Sequence, residues 1–226
     1  MVVVFEDELD SFNVYEKLEN QSFKQVVNHL SGTGSKDAIM DEFDSLFSDL
    51  YGSWIWKVVK QNDESIWLSV VSYIDLWLNS KSNNVKKTMS IALNISNTCD
   101  DHINMTLSQR LKMSHYASQV KLQADKLRID LNLIKSIFDN NFKKINSCIK
   151  YVLTRSEEKE VNTIILAGNI ANCPLLKCAI VTEFPNKQIF AIENSEHAAL
   201  KGAVLFGHAP VVVSSIFCGA QVMVSR

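Results

Sequence analysis

The chain reads as an α/β protein with a layered sheet flanked by helices. Three observations predict this. Short apolar runs follow one another near the N-terminus, the hydrophobic period becomes helical at Asp37, and the last third alternates strand-like with helix-like segments.

In chain order, Val2–Phe5, Phe12–Tyr15 and Phe23–Val27 read as a meander, joined by the acidic "EDELD" and by "ENQS". From Asp37 the stretch "DAIMDEFDSLFSDLYG" places Ile39, Phe43, Leu46, Phe47 and Leu50 on one helical face, with Gly52 as its stop. A second apolar helix covers Ile66–Leu78. Ser90–Ser96 and Asn104–Leu107 read as short strands around "SNTCDD". The clearest helix is "DLNLIKSIFDNNFKKINSCIKYVL", with Asp130 as N-cap and an apolar stripe from Leu133 to Val152. Strand Val161–Ala167, helix Pro174–Glu183, strand Gln188–Ile192, helix Ser195–Phe206 and strand Val211–Ile216 complete the order.

Composition narrows the function. A net charge of -2 supplies no basic field for nucleic acid or an anionic membrane. No apolar run approaches membrane-spanning length, and "MVVVFEDELD" lacks the pattern of a signal peptide. Five scattered cysteines suggest reduced thiols and a cytoplasmic location. Cys173 and Cys178 resemble half a zinc site but have no second ligand pair at suitable spacing, so no metal is expected. The histidines are dispersed and form no local catalytic motif: His197 reads as a surface partner of Glu193 and Glu196, and His208 as a helix-end residue suited to the dipole. Trp54, Trp56, Trp67 and Trp77 read as packing residues, not as a base-stacking platform.

The stretch "TIILAGNIANCPLL" is the most suggestive motif. An apolar strand meets a single glycine, Gly168, and a polar turn leads to Pro174 and a helix. Such turns hold nucleotides when glycine lets the ligand reach the backbone and the helix start favours anions. Only one glycine is present here, followed by Asn169.

These residues, with "ALKGAVLFGHAP" (Ala199 to Pro210) and "HLSGTGSKDAIMDEFDSLFSDLYG", resemble the nucleotide-binding domain of the 70-kDa heat-shock chaperones, and within them the divergent heat-shock 70 kDa protein 12 family. The resemblance implies lobe II of an actin-like ATPase domain, of the ribonuclease H-like class, with lobe I absent from this chain, and ATP or ADP as the ligand. It implies a mixed sheet flanked by helices, with a core from residues 1–30 and 130–226 and a smaller inserted α+β subdomain over 31–129. It aligns Gly168 and Asn169 with the family's two adenosine-turn glycines, and Asp75 with a Glu that covers adenine. It also puts Glu6, Asp7 and Glu8 where a phosphate loop carries three glycines, with Val4 on that loop's aspartate and Leu9 on its threonine. Three carboxylates there would repel phosphate and crowd the backbone.

The expectation is a chaperone-type nucleotide-binding lobe with a degenerate phosphate loop and no independent ATPase turnover. Two alternatives stand beside it. One is a non-catalytic module that meets a protein partner through an exposed cleft face. The other is a weak ATP/ADP binder using Gly168, Asn169 and Asp75. A hard-cation site at Glu6, Asp7, Glu8 and Asp10 is the less favoured reading of the acidic turn, against a solvated loop.

Overall fold

Val2–Phe5 forms β1, Asp10–Lys17 β2 and Phe23–Ser31 β3, in a computed structural model that describes residues 1–20, 22–32, 36–62, 64–79, 88–92, 107–123, 126–156, 160–193, 197–208 and 213–215. The three strands pair antiparallel in sequence order, with a bulge after Val14. Their alternation is strict enough to fix one inward face. Val3, Phe5, Phe12, Val14 and Val27 are buried, and their neighbours along each strand are half-buried or exposed, apart from the buried Gln25 at the bulge.

The chain divides into two compact units, one from Met1–Lys36 and Phe142–Arg226, the other from Asp37–Asn141. In the first unit, β7 (Thr163–Gly168) lies parallel beside β1, and β8 (Gln188–Ala191) lies parallel beside β7. At the other edge β9 (Val213–Ser215) runs parallel to β3, which gives a six-stranded mixed sheet in the order β8-β7-β1-β2-β3-β9. The inward face carries helix α5 (Leu131–Arg155): the Cys148 thiol donates to Ser31 Oγ at 3.5 Å, and the His29 and Tyr151 rings lie 5.0 Å apart. Helix α6 (Pro174–Glu183) lies alongside α5, joined by Asn146 Nδ2 donating to the Ala179 carbonyl at 3.4 Å and by a Lys150–Glu183 ion pair. Each fully buried Val, Leu, Ile or Phe of this face stabilises the sheet by about 1.5–3 kcal/mol.

The second unit contains α1 (Lys36–Tyr51), α2 (Ser53–Asn62), α3 (Glu64–Asn79), β4 (Thr88–Ala92), α4 (Leu107–Met113), β5 (Val120–Gln123), β6 (Lys126–Asp130) and the start of α5. The strands form a second sheet, β4-β6-β5. All five apolar residues expected on the inner face of α1 are buried. Gly52 ends that helix at φ +87°, its N–H donating to the Ser48 carbonyl at 2.7 Å. An aromatic stack fills this core: the Trp56 ring lies 4.8 Å from Phe47 and 5.7 Å from Tyr51, both near-parallel. Trp56 Nε1 donates to Asp44 Oδ1 at 2.7 Å, and the Lys60 ammonium both pairs with Asp44 and sits about 5.5 Å from the Trp56 and Trp67 rings. Trp56 and Trp77 are therefore core residues, whereas Trp54 is exposed.

Several expectations change. The strand expected over Ser90–Ser96 is β4, which begins two residues earlier; 93–96 lie outside the described residues. Leu107 opens a helix instead of closing a strand, because Leu107 and Leu111 fall one helical turn apart and Leu111 is buried; 104–106 lie outside the described residues. Helix α2 and the β5–β6 hairpin were not anticipated. The hairpin alternates Val120 and Leu122, then Leu127 and Ile129, with long polar side chains, over runs of only four and five residues. Asp130 ends β6 and caps α5 at once, its Oδ1 accepting the Asn132 N–H at 2.7 Å. Helix α7 spans Ala198–His208, and 195–196 lie outside the described residues. Among the described residues, no helix is long and apolar enough to cross a membrane.

Candidate functional site

The parallel pairing of β1 with β7 brings Phe5 opposite Gly168 and so sets the acidic loop 6–9 beside the turn that follows β7. Gly168 adopts φ +97°, a conformation that side chains disfavour. Space forbids a side chain as well, since a Cβ on Gly168 would lie 1.9 Å from the Phe5 carbonyl oxygen. The glycine is thus required by the close passage of β1. Its Cβ position faces the protein's own backbone.

Asn169 secures the same approach. Its N–H donates to the Phe5 carbonyl at 3.0 Å, and its Nδ2 donates to Asp7 Oδ1 at 2.7 Å. The acidic loop and the turn are therefore clasped directly to one another. Asn169 Oδ1 is buried and has no hydrogen-bond partner. Beyond it the turn packs inward: Ile170, Ala171 and Cys173 are buried, and Pro174 opens α6 at a first-turn position that suits proline. Burial pushes the Cys173 thiol up, outweighing the Leu176 and Leu175 N–H groups that pull it down. It is not an activated nucleophile.

The acids divide by environment. Glu6, Asp7 and Glu8 are exposed, as the solvated-loop reading requires. Asp10, at the start of β2, is fully buried on the inward face, and neither carboxylate oxygen has a hydrogen-bond partner. Burial raises its carboxyl to about 7, and the Glu6 charge adds to the rise. The Glu6 main-chain amide pulls the other way without reaching hydrogen-bond geometry. Period-two alternation with Phe12 and Val14 was the available signal for this inward position.

Of the residues expected at the site, Gly168 lies against Phe5, and Asn169 next to it bonds Asp7. Asp75 sits on α3 in the other unit, half-buried, followed by the exposed Leu76 and the buried Trp77 and Leu78. Lys81 lies outside the described residues. Among the described residues, no group of three or more His, Cys, Asp or Glu is arranged to hold a metal ion. Cys173 is buried while Cys178 is exposed, an arrangement unsuited to shared zinc ligation. His208 closes α7 at its C-terminal turn; His197 is exposed, and Glu196, one of its expected partners, lies outside the described residues.

Comparison with protein-family models and with curated proteins returns no match for this chain.

Proposed function

We propose that the first unit is a nucleotide-site scaffold without a working nucleotide site, built on the plan of lobe II of an actin-like ATPase resembling the heat-shock 70 kDa protein 12 family. Its strand order supports this plan. An antiparallel β1-β2-β3 meander is extended beyond β1 by parallel β7 and β8, and a separate unit is inserted between β3 and β7.

One observation carries the loss of function: the Asp7–Asn169 clasp. It ties an exposed carboxylate to the side chain that would have to leave room for ribose or phosphate. Glu6 and Glu8 beside it add like charge against a polyphosphate. A chain of this kind acts by its surface, without ATP turnover.

The test is calorimetry with ADP and ATP, each at millimolar concentration with magnesium, together with a phosphate-release assay. The expected result is no binding heat above dilution and no turnover. Turnover that Asn169→Ala changes would overturn the proposal. Asn169 is the better probe, because a side chain at Gly168 collides with Phe5 and would remove the fold along with any activity.

A further inference from the structure

Strand β8 ends the sheet order, so one of its backbone edges meets no other strand among the described residues. The Gln188 N–H donates to the Asn162 carbonyl at 2.9 Å and the Ile192 N–H to the Leu166 carbonyl at 3.0 Å, both toward β7. Backbone groups alternate sides along a strand. Phe190 therefore also faces β7, while Ile189 and Ala191 turn their N–H and C=O groups outward. Natural edges are ordinarily protected by a charge, a proline or a bulge. β8 reads Gln-Ile-Phe-Ala and has none of these.

The surroundings of this edge are apolar. Phe190 is 55% exposed and Ile192 38% exposed, both on the sheet face opposite α5 and α6. On the inward face, α6 packs against β8 and meets α5 through the Ala179 carbonyl and Glu183. Val181, two residues from each, falls on the side of α6 turned away from α5, and it is 45% exposed. An open hydrogen-bonding edge with exposed apolar side chains above and below it suits the addition of a strand.

The strand that fits is β8 itself. The stretch "KQIFAIE", Lys187 to Glu193, is complementary in charge to its own reversal about Phe190. Laid antiparallel on a second copy with the two-fold axis at Phe190, Lys187 falls opposite the partner's Glu193, and Glu193 opposite the partner's Lys187. Ile189 falls opposite the partner's Ala191, and both turn backbone groups into the seam, as a hydrogen-bonded pair requires. Phe190 meets the partner's Phe190 as a non-hydrogen-bonded pair, the closer kind, which favours aromatic contact. Backbone phase and charge thus select the same register. An axis at Ile189 or Ala191 no longer opposes Lys187 to Glu193.

We propose that β8 is a dimerisation edge, at which two copies pair antiparallel about Phe190 and the sheet continues from one protomer into the other. Ion pairs between Lys187 and Glu193 close both ends of the seam. The axis lies perpendicular to the sheet, so the two α6 helices flank the seam on the same face. This stands independently of the nucleotide reading, because β8 contains neither the Gly168–Asn169 turn nor the acidic loop. A contact of one strand a side is of the small, reversible class, with a dissociation constant in the micromolar range.

Sedimentation of the full chain over a concentration series tests this, under reducing conditions because Cys178 is exposed. The expected result is a reversible monomer–dimer equilibrium. Lys187→Glu and Glu193→Lys each set like charges at both ends of the seam and should each weaken it about tenfold. The double variant, Lys187→Glu with Glu193→Lys, should restore the parent constant. Ala191→Pro removes an outward N–H that β7 does not use, and should leave a monomer still folded by circular dichroism. A monomer at every concentration up to about 100 μM would overturn the proposal. So would a dimer indifferent to either charge reversal, or a double variant as weak as the single ones. A dimer that survives Ala191→Pro overturns it as well; should that variant not fold, the charge reversals decide.

Discussion

Asp10 makes stability fall as pH rises through neutrality. Its carboxyl moves from 3.8 in the unfolded chain to about 7 in the folded one, because burial leaves both oxygens without partners. Between those values the folded state holds a proton that the unfolded state has released, so each step up in pH favours unfolding. Integrated from pH 5 to pH 8, that difference is about 2.5 kcal/mol. The loss levels off above about pH 7, where both states are ionised. His29 acts oppositely: burial, and then the Arg155 charge, lower its pKa, so its neutral form is favoured on folding and its contribution is lost as pH falls below 6.5. The clean measurement is therefore a difference between two proteins. Urea unfolding of the parent and of Asp10→Asn, followed by far-UV circular dichroism at pH 5, 6, 7 and 8, isolates the carboxyl. All four tryptophans fall in the second unit, so their fluorescence supplies an internal reference for the half that lacks Asp10. The gap between parent and variant should widen in favour of the variant by about 2.5 kcal/mol across that range. Parallel curves would refute the reasoning, showing that the carboxyl finds a partner or solvent in solution.

Gly168→Ala should destabilise the first unit by more than about 2 kcal/mol, since strain at positive φ adds to a 1.9 Å contact with Phe5; circular dichroism melts would show it. Asp7→Ala and Asn169→Ala should each cost about 0.5–1 kcal/mol, and the double variant less than their sum, because both remove one hydrogen bond. Gly52→Ala should cost about 1–2 kcal/mol, part of it recovered with Arg110→Ala: the added Cβ meets the Arg110 guanidinium at 2.5 Å, while φ +87° still penalises it. Asp44→Ala should lower the tryptophan-monitored urea stability by about 1–3 kcal/mol, because it removes the partner of both the Trp56 indole N–H and Lys60.

Some of this molecule is written in local pattern. Period-two alternation in Val2–Phe5, the helical stripe from Ile39 to Leu50 with Gly52 as stop, and the apolar face of α5 with its Asp130 cap all follow from the covalent chain, because each depends only on near neighbours. Acidic Glu6–Glu8 as a solvated loop is equally local. The shortfalls fall where local pattern is ambiguous, as at Leu107, whose run fits a strand or a helix until Leu111 is buried one turn away.

Tertiary structure decided the meaning of the site. In sequence, Gly168 and Asn169 stand more than a hundred and fifty residues from Asp7, and a turn of that composition suits a ligand as well as a backbone. The pairing of β1 with β7 settles what meets them: the Phe5 carbonyl fills the space beside Gly168, and Asp7 takes the Asn169 amide. The same pairing, with β8 at the sheet edge, leaves Ile165 and Phe190 on a face that the helices of the inward side do not reach. Sequence determined the bend at Gly168. Contacts between segments distant in the chain determined that its inner side belongs to the protein's own backbone, because strand pairing is a long-range choice that no local period encodes.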